Sequence, residues 1–337
     1  MRQRIILTLA LVLLIGYFRG ELCAGVADTE GDYYQDDGIV GHVHRPHARR
    51  EYDWPEYKKG NIVLRTNNLG FRQDTDTEAD KAKGVIRILV AGDSQIDGVV
   101  NNSESFPSVL ESRLNSQNQP AKFEIINGAT GYYGPDHYFL FLYKYLFLKP
   151  DVYIVVVYTG NDFLDAARIL EARDGMIKRP ADYLSSLRNC SRNDGAINQV
   201  MNQVYYFKTF AWMREKTVNH VLDRILKINE LCKQHKISLL VAFLPTKADV
   251  EWQSDEEVLT KTKDCLKLSE PDLRINRELT ESLIKGVSDK NINFIDLYEV
   301  MKNQNEEFFW KKDYHLNDRG HSFIAEKINE KYYSLFH

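Results

Sequence analysis

The chain has 337 residues, enough for one large domain or two ordinary ones. Apolar residues make up 43% and charged residues 27%, an ordinary globular mix that excludes wholesale disorder. Lys plus Arg total 44 against 48 for Asp plus Glu, so a net charge of −4 with no long basic run leaves no footprint for a nucleic-acid duplex.

The first element lies at the extreme N-terminus. Arg2 and Arg4 precede an unbroken apolar run at residues 5–18, IILTLALVLLIGYF. It is shorter than the ~20 residues of a comfortable membrane span and matches the apolar region of a secretory signal. Gly25 and Ala27 offer small residues for cleavage, whereas a snorkelling Arg19 would extend the run into a retained anchor. Residues 1–27 are therefore read as a signal peptide or N-terminal membrane anchor. An exported protein of the envelope or periplasm, anchored or secreted, is expected, with membrane contact through this segment.

Residues 28–80 form a polar, tyrosine-rich extension. His42, His44 and His47 in GHVHRPH read as a loop or edge strand rather than a metal site, because Pro46 stiffens the stretch and no Cys or carboxylate lies between them. Residues 62–65 (IVLR) read as a strand, followed by a turn at 67–70 (NNLG).

From residue 85 the pattern changes. Short apolar runs recur at 85–91 (VIRILVA), 123–126, 151–158 (DVYIVVVY), 237–244 (ISLLVAFL) and 292–297. Near-continuous apolar runs are the mark of parallel strands covered on both faces. Helical patterns lie between them at 106–114, 138–148, 218–235 and 273–287. A last helix is expected at about 319–335, with Asn317 and Asp318 as cap candidates. Residues 163–217 read as a helical insertion with no strand. Of the cysteines, Cys232 reads as a small buried apolar residue, and any bridge among Cys190, Cys232 and Cys265 is left open.

Ligands of an open parallel sheet gather outside the carboxyl ends of its strands. There the sequence puts Gly92-Asp93-Ser94, then Asn127 to Gly131, then Thr159-Gly160-Asn161-Asp162, then Asp313-Tyr314-His315. Acyl transfer needs these parts. A serine hydroxyl requires a base, and His315 is the candidate; a carboxylate on the other imidazole nitrogen fixes the tautomer, and Asp313 is the candidate. The oxyanion needs preset donors, for which the Ser94 and Gly131 N–H groups and the Asn161 amide are the candidates. Asp93 and Asp162 are expected to tie the strand-end loops by accepting backbone N–H groups. Asp318 is expected to serve the last helix as a cap rather than His315 as its acid.

These four blocks resemble the SGNH (GDSL-type) hydrolases. The segments 68–72 (NLGFR), 243–247 (FLPTK) and 317–321 (NDRGH) look similar too, so the resemblance spans about residues 60 to 335. It implies a flavodoxin-like three-layer α/β/α sandwich with a five-stranded parallel sheet over residues 81–337. It also implies serine-dependent cleavage or transfer of acyl esters with no cofactor or metal, carbohydrate O-acetyl groups being a frequent target. Three departures stand out: Gln95 follows the serine where Leu or an aromatic is usual, the acid precedes His315 as Asp-x-His with Lys312 at the commoner acid position, and the turn at 128–135 matches imperfectly, leaving Gly128 and Gly134 as fallbacks for Gly131.

The leading expectation is an esterase acting on small-molecule or carbohydrate esters. An O-acyltransferase on an envelope polysaccharide would use the same triad. A non-catalytic envelope scaffold would ordinarily have lost the nucleophile or the base, and this chain keeps both. Oligomeric state is left open.

Overall fold

The computed structural model describes residues 33–117, 121–190, 195–251 and 256–336. Five of the apolar runs become one sheet: β5 (Val85–Ala91), β6 (Lys122–Asn127), β7 (Val152–Tyr158), β8 (Ser238–Leu244) and β9 (Phe294–Asp296). All pairings are parallel, in the order β6-β5-β7-β8-β9. Successive side chains of a strand point to opposite faces, so each run feeds two cores. Leu89, Ala91, Tyr153, Val155, Val157 and Val241 pack against the helices Pro135–Tyr145, Asp162–Asp174, Met213–His235 and Ile275–Asp289. Ile88, Val90, Ile154, Val156, Leu240 and Ala242 pack against Phe106–Ser116, Leu297–Met301 and the last helix, Asp318–Phe336. This is a flavodoxin-like three-layer α/β/α sandwich. Burial on both faces explains why all 7 residues of β7 are buried.

Chain direction across the sheet reverses at β5, which has β6 on one side and β7 on the other. The crevice between the carboxyl ends of β5 and β7 is the switch point where such sheets hold ligands. Ser94 and Asn161 each stand three positions beyond the ends of β5 and β7.

Several elements differ from the sequence expectation at their ends. The strand expected over 292–297 is only Phe294–Asp296, because the Asp296 carboxylate accepts the Tyr298 N–H at 3.1 Å and starts the helix Leu297–Met301. The helix expected at 138–148 begins earlier, with Pro135 in its first turn, and closes in a tight 3-10 turn at Leu146–Leu148. Within the insertion, the helices Tyr183–Cys190 and Gly195–Thr209 follow Asp162–Asp174, with no strand among the described residues. A Cys190–Cys265 disulfide joins Tyr183–Cys190 to the helix Glu256–Cys265, and Cys232 is a buried free thiol.

The extension folds into two antiparallel hairpins, β1 (Tyr34–Asp37) with β2 (Gly41–His44) and β3 (Arg49–Tyr52) with β4 (Ile62–Arg65). Tyr33, Tyr57, Ile62 and Leu64 share a small core with Val100 and Trp310, which lie beside the serine turn and the histidine loop. The extension is thus built against the site. The apolar run at 5–18 lies outside the described residues, among which no helix is long and apolar enough to cross a membrane.

The cap of the last helix needs a correction. Asn317 Oδ1 accepts the Gly320 N–H at 2.8 Å, whereas Asp318 is paired at 2.6 Å with the exposed Lys59. Asn317 sits one residue earlier, where a side chain can reach the third helical amide. Asn317→Ala should cost about 1 kcal/mol in urea unfolding, and Asp318→Asn no more than about 0.5 kcal/mol, as a surface pair does.

Candidate active site

The β5 end is shaped by Asp93, whose carboxylate accepts the Gln95 N–H at 2.9 Å and so caps the single helical turn Ser94–Asp97. Gln95, Ile96 and Asp97 are buried in that turn, while Ser94 is half-buried. As the first residue of the turn, Ser94 has an amide with no acceptor inside the helix. Burial pushes the Asp93 carboxyl up to about 7, against the pull of the Gln95 N–H and of nearby His315.

At the β7 end Asn161 precedes the helix Asp162–Asp174, with its side-chain amide against the Asp93 carboxyl. Asp162 accepts the Tyr158 N–H at 3.0 Å and the Tyr138 hydroxyl at 3.0 Å, which ties the strand end to the neighbouring helix. Both aspartates therefore hold loops in the manner the sequence suggested.

The third part is the loop that carries the histidine. One oxygen of Asp313 accepts both the His315 backbone N–H at 2.7 Å and its Nδ1 at 2.6 Å. Nδ1 facing a carboxylate carries the proton, which leaves Nε2 as the basic nitrogen. Burial would raise the Asp313 carboxyl, but the imidazole and its two hydrogen bonds hold it below the ordinary carboxylate range. The Tyr314 ring leans on the imidazole with centroids 4.2 Å apart.

This loop is held from three directions. Glu56 of the extension accepts the Lys311 and Lys312 N–H groups at 2.6 and 3.0 Å. Lys247, after β8, donates to the Lys311 carbonyl at 2.7 Å. Gln95 donates to the Tyr314 carbonyl at 2.9 Å and accepts the Leu316 N–H at 3.1 Å. The His315 loop is thereby tied to Gln95, the residue that follows Ser94.

Gly131 requires a correction. Its N–H, expected to face the oxyanion, donates instead to Asp97 Oδ2 at 3.2 Å, and its carbonyl meets His42 Nε2 at 2.8 Å. His44 Nε2 contacts the same Asp97 oxygen at 3.1 Å. The fallbacks are also engaged, Gly128 N–H with the Val90 carbonyl at 3.0 Å and Gly134 N–H with His137 Nδ1 at 3.1 Å. The physical reason is that the extension covers this loop, and buried amides take internal acceptors. The exposed residue of the turn is Tyr132, at a left-handed φ of 66° and 58% exposed.

Gln95, Asp97, Glu56 and Lys247 were not singled out as site residues from the sequence. Each acts through a partner far away along the chain, so no local pattern assigns its role, although Gln95 departs from the usual residue and Lys247 ends the segment 243–247 (FLPTK). His137 and His321 do not join the Asp313–His315 pair. His321 Nδ1 accepts the Phe106 N–H at 3.1 Å and burial lowers it to about 3; His137 stacks on Tyr133 at 5.0 Å and burial lowers it to about 4. Among the described residues no group of three or more His, Cys, Asp or Glu is placed to hold a metal. A cavity of about 500 Å³ lined by Val200, Met201, Val204, Leu273 and Asn276 includes none of Ser94, Asp313 and His315.

No family model matches the chain, and no curated protein matches it. Among solved structures it is similar to an acetyl xylan esterase, AlAXEase, at 16% identity over 75% of this chain and 100% of that one, with a TM-score of 0.44. It is similar to the psychrotrophic esterase EstA from Pseudoalteromonas sp. at 9% identity over 74% and 97%, with a TM-score of 0.44. The corresponding values for TesA are 10%, 73%, 97% and 0.43. The order and direction of its own strands place the chain in the flavodoxin-like α/β/α fold.

Proposed function

We infer that the chain is an SGNH-type serine esterase that cleaves acyl esters, with short acyl groups such as O-acetyl on carbohydrate as its substrates. The observation that carries this reading is the 2.6 Å bond between Asp313 and His315 Nδ1, in a loop bound to the residue that follows Ser94. His315 Nε2 takes the Ser94 proton as Oγ attacks the ester carbonyl, then returns it to the leaving alcohol. Asp313 holds the tautomer and stabilises the imidazolium. The Ser94 N–H and the Asn161 amide serve the developing oxyanion, each such donor contributing about 2.7–4 kcal/mol. The Gly131 turn shapes the rim with its N–H committed to Asp97. Water then releases the acyl group from Ser94. Turnover of a panel of aryl and sugar esters, with Ser94→Ala as control, tests the assignment; a panel in which no ester is consumed overturns it.

The site is proposed to work outside the cytoplasm. The apolar run at residues 5–18 supports export, and the Cys190–Cys265 bridge supports an oxidising compartment. A reporter fused to the C-terminus should be active only after translocation, and activity confined to the cytoplasm rejects export. Mass spectrometry of the mature N-terminus then separates a cleaved signal from a retained anchor.

A further inference from the structure

The task of Gln95 is not explained by the triad. Its side chain is 0% exposed, so it lines no pocket rim. Both of its polar ends are used: Nε2–H on the Tyr314 carbonyl at 2.9 Å and Oε1 on the Leu316 N–H at 3.1 Å. Those two groups belong to the residues on either side of His315. A carboxamide donates and accepts through one planar group, as a peptide does, so Gln95 pairs with the histidine loop as a neighbouring strand would. Leucine, usual at this position in the resembling family, can make neither bond, and asparagine is one methylene short. Glu56 and Lys247 grip the same loop earlier, at residues 311 and 312.

We propose that Gln95 is a positioning residue: through its bonds to the Tyr314 carbonyl and the Leu316 N–H it sets the place of His315 relative to Ser94. The amide of one residue thus couples the turn of the nucleophile to the loop of the base, across more than two hundred positions of chain. The proposal rests on the serine-esterase reading.

The test compares wild type, Gln95→Leu, His315→Ala and the double variant in steady-state ester turnover, with thermal melting of each. Gln95→Leu should lose about a hundredfold in kcat, the cost of a base displaced by about 1 Å, while KM stays within about twofold. In the His315→Ala background the same substitution should change the rate by less than about twofold, because a residue acting through the base has nothing left to act on. Should leucine abolish folding, Gln95→Met, of nearly the same length, takes its place. A readout independent of substrate is the proton resonance of His315 Nδ1–H, sharp in wild type and broadened by exchange in Gln95→Leu.

Wild-type kcat in Gln95→Leu overturns the proposal. So does a full loss that persists in the His315→Ala background, which would mean that Gln95 acts on some group other than the base. If wild type shows no Ser94-dependent turnover, the esterase reading fails instead. The resonance then decides the positioning role alone, an unchanged line refuting it.

Discussion

Ester turnover should vanish in Ser94→Ala while the thermal transition stays within about 2 °C of wild type. The loss should be on the order of 10⁶ in kcat, as when the nucleophile of a comparable unit is removed. Stability should hold because Ser94 is the half-buried residue of a turn whose other members, Gln95, Ile96 and Asp97, are buried. Trimming one hydroxyl at such a place leaves no cavity in the core, and substitutions of this kind stay within about 0.5 kcal/mol. The cap is also untouched, since it is the Asp93 carboxylate that accepts the Gln95 N–H. Initial rates on an aryl acetate, with circular dichroism melting of the same sample, check both halves. Turnover retained by a clean Ser94→Ala sample would remove the serine mechanism.

Asp313→Asn should lower kcat by about 10²–10⁴ with KM little changed. Asparagine has nearly the shape of aspartate and can still accept the His315 backbone N–H, so the loop should survive. What it lacks is the negative charge that stabilises the imidazolium formed while Ser94 attacks. Asp313 is suited to that part because the imidazole and its hydrogen bonds keep it below the ordinary carboxylate range. His315→Ala should be at least as damaging, since the base itself is gone. Asp318→Asn is the matched control, its carboxylate being paired with the exposed Lys59 rather than with the histidine. A silent Asp313→Asn beside an inactive Asp318→Asn would overturn the assignment of the acid.

Much of this architecture was legible in the sequence, for local reasons. A β-branched run such as VYIVVVY, bounded by turn residues, fits a strand of a parallel sheet covered on both faces, so β7 could be placed to within one residue. The strand ends then marked Ser94 after β5 and Asn161 after β7 as candidates, with Asp313 and His315 as their expected partners. The Asp313–His315 pair was readable because its partners are two residues apart, within reach of any extended loop. Short spacing makes a contact nearly independent of the rest of the fold.

The remainder required the tertiary structure. Whether Gly131 offers its N–H depends on Asp97 and His42, which reach the loop from two other elements, and on His44, which contacts Asp97. The bridge chosen among three cysteines depends on which two helices the insertion brings side by side. The choice between Asn317 and Asp318 as cap turns on a difference of one residue in where the helix starts, which periodicity does not resolve. Gln95 is the clearest case, for its two partners lie at the far end of the chain. Hydrophobic periodicity encodes which segments form strands and helices and which face each one buries. Hydrogen bonds between distant loops are selected only after those faces have packed, because packing alone decides which polar groups are left to satisfy one another.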